Sequence, residues 1–344
     1  MIDISFIIPV YNAETSIQRC IESLLGQDVN KEILLVDDGS SDESVNIINT
    51  YVQMYDRIKL IQQEHLGAAE ARNKGIQSAQ GKWVCFVDSD DYLYENCMKK
   101  VIENVPFDMQ IIYTDYAKER GNNIVEYRYQ AKKKFFDGSD FDAFKHAELN
   151  KCKCPDGLQI FTPWAKLFNR EFLIQNDIHF VAGVRKSHDV LFNFCAVDKA
   201  NKGLYIPTLT YVYSYNEASL CNKYIDGVIN DYMKQQSVML DVLKSDRDRT
   251  QFINDFYIRC IVNFLYAIQI DFAHKNNSKP YKERREDFLK CREKDVYKQA
   301  FDNVDVSAFS LKEKMFFIIA KKKFFWISQV IVRMYNMWRR VARR

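Results

Sequence analysis

This sequence predicts an α/β fold with a mostly parallel, doubly wound mixed sheet, helices on both faces, and a helical C-terminal region. Three observations predict it. Over the first 115 residues, short apolar runs alternate with segments of helical spacing. The runs are β-branched or aromatic and nearly continuous, as strands covered on both faces should be. From about residue 222 the chain turns helical, with few glycines or prolines.

The strands come at Ile4–Ile8, Ile33–Val36, Ile58–Ile61, Trp83–Val87 and Ile111–Tyr113. Between the first two, Ile17, Ile21, Leu24 and Leu25 share one helical face; Thr15 or Glu14 opens that helix and Gly26 closes it. Asp42-Glu43-Ser44 starts the next helix, which runs to about Met54, and Ala68–Ala79 forms a third, ended by Gly81. Strand–helix alternation of this kind builds a sheet whose ligands bind at the carboxyl ends of its strands. Residues 116–160 are polar and aromatic, with Lys132-Lys133-Lys134 and Pro155-Asp156-Gly157, and read as strands and loops over the site. Residues 161–220 are mixed; Val228–Leu243 and Phe252–Phe272 are the clearest later helices. The expected domains are residues 1–220, a helical region 221–312, and a basic amphipathic helix 313–344.

The chain has 344 residues, 47% hydrophobic and 28% charged, which provides a core and excludes a wholly disordered protein. A net charge of +3 excludes a molecule that binds polyanions over its whole surface. The nine cysteines are scattered, several inside apolar runs such as Val84-Cys85-Phe86, so they read as reduced, packed thiols. Cys152-Lys153-Cys154 has no second pair to complete a zinc site. The N-terminus lacks the pattern of a secretory signal, and no run of about 18 uncharged apolar residues predicts a spanning helix. A cytoplasmic location is the expectation.

The chemistry is expected in three acidic features. Asp37-Asp38-Gly39-Ser40-Ser41-Asp42 follows the second strand, Asp88-Ser89-Asp90-Asp91 follows the fourth, and Asp189 lies in Ser187-His188-Asp189-Val190-Leu191-Phe192. Clustered carboxylates repel, and a cation relieves that cost. Oxygen-only ligands suit Mg²⁺ or Mn²⁺, which also bridges phosphates. The plainer alternative is a solvated turn with helix caps, which Asp and Ser both favour. Asp37-Asp38 reads either as a turn, with Asp42 capping the next helix, or as a contact to a nucleotide base or ribose. Tyr11, in Pro9-Val10-Tyr11-Asn12, could stack on a base or sit in an ordinary turn. Arg72 could pair with phosphate in a fork or be a surface arginine. All four elements follow strands of one sheet and so converge on one edge.

Four blocks in this order resemble family 2 glycosyltransferases. They are Phe6-Ile7-Ile8-Pro9-Val10-Tyr11-Asn12, Leu35-Val36-Asp37-Asp38-Gly39-Ser40-Ser41-Asp42, Gly67-x-x-x-Ala71-Arg72-Asn73-Lys74-Gly75, and Gly81–Asp91. The resemblance covers about residues 3–220 and implies a GT-A fold, a UDP-sugar donor and a divalent metal. Residue by residue, it implies that Pro9 and Tyr11 line the base pocket and that Asp38 meets the uracil edge. Arg72 lies by the base and diphosphate. Asp88 and Asp90 form the DxD motif, Asp88 facing the ribose and Asp90 reaching the metal. Trp164-Ala165-Lys166-Leu167-Phe168 resembles a W-x-K-L segment near the donor, which makes Trp164 and Lys166 candidate phosphate or acceptor contacts; a surface lysine is the alternative for Lys166. Asp189 matches the acidic general base of the E-D-x-x-F motif. Tyr211-Val212-Tyr213-Ser214-Tyr215 with Ser219 resembles the last strand of the domain. Two positions depart: His188 stands where the family has Glu, and His65 where many members have Asn. His188 is a further candidate contact, against the alternative of a structural or exposed histidine.

The implied reaction is an inverting single displacement in which Asp189 takes the acceptor hydroxyl proton and the metal and Arg72 stabilise the departing diphosphate. The tail adds a location. Phe317, Ala320, Phe324, Ile327, Ile331, Met334, Trp338 and Val341 recur at steps of three and four. Lys322, Arg333, Arg340, Arg343 and Arg344 lie largely opposite, with Trp326 and Trp338 as interfacial aromatics. From Lys321 onward there are eight basic residues and no acidic one. This suits the inner surface of the cell membrane and a glycan or lipid-linked glycan acceptor; a helix packed on the protein or a homo-oligomer seam is the alternative. Nucleic acid is not an expected partner, because Phe, Ile and Trp dominate the other face. Two other functions stay open: a metal-dependent nucleotidyltransferase, which would release pyrophosphate, and a non-enzymatic nucleotide-binding or phospho-acceptor domain.

Overall fold

In the computed structural model, strand β1 (Ile4–Val10) sets the architecture, because its alternation feeds two cores. Ile4, Phe6, Ile8 and Val10 face one side of the sheet and Ile7 the other. The residues described are 2–103, 105–155, 158–215, 224–245, 249–307, 309, 311–327 and 329–330. They fall into two compact units, Met1–Glu148 with Lys153–Glu217, and Leu149–Cys152 with Ala218–Arg344.

In the first unit β1 is followed by α1 (Ile17–Leu25), β2 (Lys31–Asp37), α2 (Ser44–Met54), β3 (Ile58–Gln62), α3 (Ala68–Ser78) and β4 (Trp83–Phe86). Then come β5 (Tyr92–Leu93), α4 (Cys97–Ile102), β6 (Ile111–Arg120), β7 (Asn123–Tyr127), β8 (Lys134–Phe136) and α5 (Gly138–Leu149). The unit closes with β9 (Lys166–Asn169), α6 (Arg170–Gln175), α7 (His188–Lys199) and β10 (Gly203–Ser214).

The sheet has ten strands, in the order β3-β2-β1-β4-β9-β6-β10-β5, with β7 beside β6 and β8 beside β10. β3, β2, β1 and β4 run parallel, as do β6 and β10. β9 enters antiparallel between β4 and β6, and β5, β7 and β8 are antiparallel too. The sheet is therefore mixed, with its parallel character concentrated in the first four sequential strands.

Helices cover both faces. On one, Ile17, Cys20, Ile21 and Leu24 of α1 and Ile48 of α2 meet the outward residues of β1 and β2. On the other, Ala69 and Ile76 of α3 pack with Phe172 and Leu173 of α6 and Phe192, Ala196 and Val197 of α7. Two glycines permit the closest approaches. A Cβ on Gly75 would meet Ile7 Cγ2 at 2.3 Å, so α3 lies directly on β1. A Cβ on Gly81 would meet the Ser5 backbone nitrogen at 2.6 Å, where the chain enters β4.

Residues 116–160 differ from the expectation of strands and loops, because α5 is a twelve-residue helix. Its Phe141, Phe144 and Ala147 join the second core. Its start is held by Asp137, whose carboxylate accepts from the Ser139 and Asp140 backbone N–H groups.

The second unit contains α8 (Val228–Ser245), α9 (Ile253–Ala267), α10 (Tyr281–Arg292), α11 (Asp295–Asn303) and α12 (Leu311–Lys321). α9 runs on into a π-turn, Ile268–Phe272. Phe264 centres its aromatic core, 5.4 Å from Phe288, 5.0 Å from Tyr297 and 5.4 Å from Phe301 between ring centroids. The expected amphipathic helix 313–344 begins within this unit. Phe317 stacks on Phe301 at 5.5 Å and Ala320 is fully buried, so that apolar stripe is spent inside the unit. The helix also stops at Lys321, and Lys323 takes a left-handed φ of 60°. Phe324 and Trp326 beyond it are exposed. Ile331, Arg333, Met334, Trp338, Arg340, Val341, Arg343 and Arg344, together with Ser219, lie outside the described residues. Among the described residues no helix is long and apolar enough to cross a membrane.

Candidate active site

Because β1, β2 and β4 are parallel, the loops after Val10, Asp37 and Phe86 emerge at one edge of the sheet. The first two are laced together. Asn12, at φ 49°, accepts from the Ser41 N–H at 2.8 Å, and its own N–H donates to Ser40 Oγ at 3.0 Å. Glu14 N–H donates to Asp42 Oδ2 at 3.0 Å, while Asp42 Oδ1 accepts from the Ser44 N–H at 3.0 Å.

Asp38 organises the next loop. Its carboxylate accepts from Gln63 Nε2 at 2.7 Å, Leu66 N–H at 2.8 Å and Gly67 N–H at 2.9 Å. The His65 ring lies against the same carboxylate, Nδ1 at 2.9 Å, and stacks on Tyr11 with ring centroids 4.2 Å apart. Asp38 is thus buried and engaged within the protein, while Tyr11 offers an exposed aromatic face. Pro9, in β1, is half-buried.

Arg72 is the hub. It projects from α3, which Gly67 opens at φ 98°. The neighbouring Asn73 exchanges two 2.8 Å hydrogen bonds with the Phe180 backbone, tying α3 to the segment that leads into α7. Arg72 is 4% exposed. It donates to Asp88 at 2.6 Å and to Asp189 at 3.1 Å, and lies 2.9 Å from His188 Nε2. Carboxylates 101 positions apart in the chain therefore share one guanidinium. Burial opposes charge on Asp189, but His188, then Arg72 and Lys166, outweigh it and hold the carboxyl far below the ordinary range. His188 Nε2 is also 3.1 Å from Asp189 Oδ1. Arg72 can only donate, so its contact needs Nε2 unprotonated; donation to Asp189 needs it protonated. His188 Nδ1 is buried with no hydrogen-bond partner among the described residues.

The Asp88–Asp91 loop holds three carboxylates in three settings. Asp88 pairs with Arg72. Asp91 is 1% exposed, and accepts from Tyr211 Oη at 2.5 Å and Ser214 N–H at 2.7 Å. Burial, then Asp88 and Asp90, push its carboxyl well above the usual range. Tyr211 Oη also accepts from the Asp88 N–H at 3.1 Å, so this tyrosine props the loop from below. Asp90 accepts no hydrogen bond from another residue among those described and lines a surface cavity. Burial and the Asp88 charge raise its carboxyl.

The structure therefore brings Arg72, Asp88, His188 and Asp189 into contact, with Asp90 two residues from Asp88. Two expected contacts are not presented. Trp164 is 5% exposed and stacks flat on Tyr211 at 4.7 Å, supporting the loop from the core. Lys166 is 1% exposed; its ammonium donates to the Thr162 carbonyl at 2.5 Å and lies 5.5 Å from the Tyr113 ring. It is a core lysine, because β9 is covered on both faces and its first three residues are all buried. Sequence reading overlooked Gln63 and the prop role of Tyr211. Tyr211 stood in an aromatic strand, and nothing local marked its reach to residue 88.

A model of the family described as glycosyl transferase family 2 matches residues 5–176, half of the chain. This chain belongs to glycosyl transferase family 2. Among its relatives, the uncharacterized glycosyltransferase YibD of Escherichia coli (strain K12) is 28% identical over 238 residues, covering 65% of this chain and 64% of that protein. The poly(ribitol-phosphate) beta-glucosyltransferase of Bacillus spizizenii is 31% identical over 206 residues, covering 58% of this chain and 30% of that protein. This family 2 chain thus spans less than two thirds of the length of either relative. The fold is that of S. aureus TarS 1–349, solved in complex with UDP-GlcNAc, at a TM-score of 0.66 and 18% identity over 98% of this chain and 92% of that one.

Proposed function

We propose that this family 2 chain moves a sugar from a UDP-sugar to an acceptor hydroxyl with inversion, Asp189 taking the hydroxyl proton. One observation carries the reading: Arg72 holds Asp88 and Asp189, from the fourth strand's loop and a distant helix, at the same strand-end edge. A buried cation between two carboxylates is where a diphosphate and a base would need to meet. Membership of the family and the UDP complex of a protein of the same fold support the choice of donor.

The geometry supports the following division of labour. Pro9 and Tyr11, at and just past the end of β1, line the base pocket, Tyr11 offering a stacking face, and Asp38 holds the loop that shapes its rim. Asp88 and Arg72 take the ribose and diphosphate. Asp189, tied to Arg72, is a weak base as it stands. A diphosphate competes for the guanidinium, and each hydrogen bond it draws from Asp189 makes that carboxylate more basic. Base strength then rises only with donor in place.

No three His, Cys, Asp or Glu side chains form a ready cation cage among the described residues. The donor set still fits Mn²⁺ or Mg²⁺. Asp90 is unbonded, faces a cavity and is repelled by Asp88, and such ions are commonly held by one or two carboxylates plus substrate phosphate oxygens. Bound there, the ion would supply charge neutralisation of the leaving diphosphate. The acceptor we propose is a cell-surface glycan or lipid-linked glycan met at the inner membrane surface. Exposed Phe324 and Trp326 beside Lys322 and Lys323 support that location.

The test is a donor screen: the protein with Mn²⁺ and, separately, UDP-Gal, UDP-Glc, UDP-GlcNAc, UDP-GalNAc and GDP-Man, with free nucleoside diphosphate measured. Turnover of a UDP-sugar, suppressed by Asp90→Ala, is expected. Release of pyrophosphate from nucleoside triphosphate and sugar phosphate would instead show a nucleotidyltransferase.

A further inference from the structure

Phe317 and Ala320 begin the apolar stripe that the sequence predicts, and both are buried; a second apolar stripe on α12 faces out. Helical spacing puts Phe316, Phe317, Ile319 and Ala320 on one side of α12, and all four are buried. Leu311, Met315 and Ile318, at steps of four and three, fall on the opposite side. They are 88%, 43% and 51% exposed. A helix that is apolar all round is ordinarily covered all round, yet among the described residues α12 is covered on one side only. Beyond the helix end the chain stays apolar and open to solvent, with Phe324 and Trp326 exposed. The charge beside the stripe has one sign. From Leu311 to Lys323 the chain has five lysines and one glutamate. Lys322 lies in line with the stripe, four residues after Ile318, and Lys314 and Lys321 run along one flank. Lys321, Lys322 and Lys323 are all exposed, and Lys323 reaches Glu293 at 2.7 Å.

We propose that the outward face of α12, Leu311, Met315 and Ile318 with the lysines beside them, is a docking surface for an anionic lipid bilayer. Charge selects the occupant. A second copy of this chain meeting the same face about a twofold axis would bring two lysine clusters together, and like charges repel. An acidic headgroup layer instead offers negative charge to the lysines, at the depth where apolar side chains pass into the acyl boundary. The stripe from Leu311 to Ile318 runs about 10 Å along the helix axis, far short of the roughly 30 Å hydrocarbon layer. α12 therefore lies along the surface and does not cross it. The docking face rests on the inner-membrane location proposed above and names the side chains that make it; binding is read without donor, acceptor or turnover.

The experiment is co-sedimentation of the full chain with vesicles of phosphatidylcholine alone and of phosphatidylcholine mixed with phosphatidylglycerol, at low and high salt. Binding to the mixed vesicles is expected, weaker in high salt and weaker on phosphatidylcholine alone. Leu311→Ser, Met315→Ser and Ile318→Ser together should weaken it about tenfold or more, with an unchanged Tm because all three are exposed. Lys321→Gln with Lys322→Gln keeps the apolar face and should weaken it about fivefold for each charge removed. If the serine variant melts lower than wild type, the lysine variant decides alone: unchanged binding overturns the proposal. A serine variant that folds and binds like wild type overturns it too, as does equal binding to both kinds of vesicle. Loss confined to Phe324→Ser with Trp326→Ser would keep the membrane location and overturn this face. No binding by wild type to either vesicle would refute face and location together, and the donor screen would still decide the catalytic reading. A wild-type dimer that the serine variant turns into monomer, with no vesicle binding, would make a second copy the occupant.

Discussion

Replacing Arg72 with Met removes the guanidinium that Asp88 and Asp189 share while keeping a side chain of similar length. Breaking a fully buried ion pair costs about 3–5 kcal/mol, and an exposed pair contributes about 0–1 kcal/mol. Arg72 is 4% exposed, but Asp88 and Asp189 are 27% and 29% exposed, so this site lies between those limits. About 2–3 kcal/mol is the expectation. In a domain of some 150–250 residues each kcal/mol moves Tm by about 2–4 °C, so the first unit should melt roughly 4–12 °C lower at pH 7. The pH dependence is specific. The Asp189 carboxyl is depressed in the folded chain, so its contribution is fully present above the unfolded value of about 3.9 and is lost as pH falls below it. The gap between wild type and variant should stand at neutral pH and narrow as acid protonates Asp88 and Asp189, starting where the variant's folded carboxyls, no longer held down by Arg72, take up protons. Thermal unfolding followed by the fluorescence of Trp83 and Trp164, both in that unit, reads it. A gap under about 1 °C at pH 7, or one that has not narrowed by about pH 3, would refute the hub as drawn.

Gly81→Ala should cost about 1–3 kcal/mol, since its new Cβ meets the Ser5 backbone at 2.6 Å; an unchanged Tm would contradict that packing. Burial brings the Lys166 ammonium down to about 7. The unfolded chain then takes up that proton first, so stability falls as pH drops from about 10.4 to about 7. Lys166→Met should flatten Tm over that window and raise it at pH 7; a lower Tm at pH 7 would count against a core role. Asp271, pushed up to about 6 by burial and by Asp226, has the opposite sign: it stabilises below about 3.9, and the benefit is lost as pH rises through about 6. Asp271→Asn should therefore raise the melting point of the second unit at pH 8 and leave it unchanged at pH 4, which calorimetry would show.

The legible parts of the fold were those where one strand or one helix face carries the signal. β1, β2 and β4 are continuous apolar runs ending in Asp37-Asp38 and Asp88, and parallel strands must deliver such ends to one edge. α5 was missed because Lys145 and Glu148 sit on its buried side; Lys145 is paired with Asp198 at 2.9 Å, and these charges hide the apolar stripe of Phe141, Phe144 and Ala147. Motif spacing in Trp164-Ala165-Lys166-Leu167-Phe168 says nothing of burial, and both Trp164 and Lys166 sit in the core. Arg19 of α1 meets Glu119 and Ser214, 100 and 195 positions on, only because β6 pairs with β10 and α1 lies against β5 at the same edge.

The central claim is that Asp189 is the base of an inverting sugar transfer. The most direct measurement is proton NMR of the glycoside formed from an α-linked UDP-sugar by wild type and by Asp189→Asn. The account predicts a β-linked product and a rate about 10²–10⁴-fold lower in the variant. An α-linked product, or a variant as fast as wild type, would contradict it.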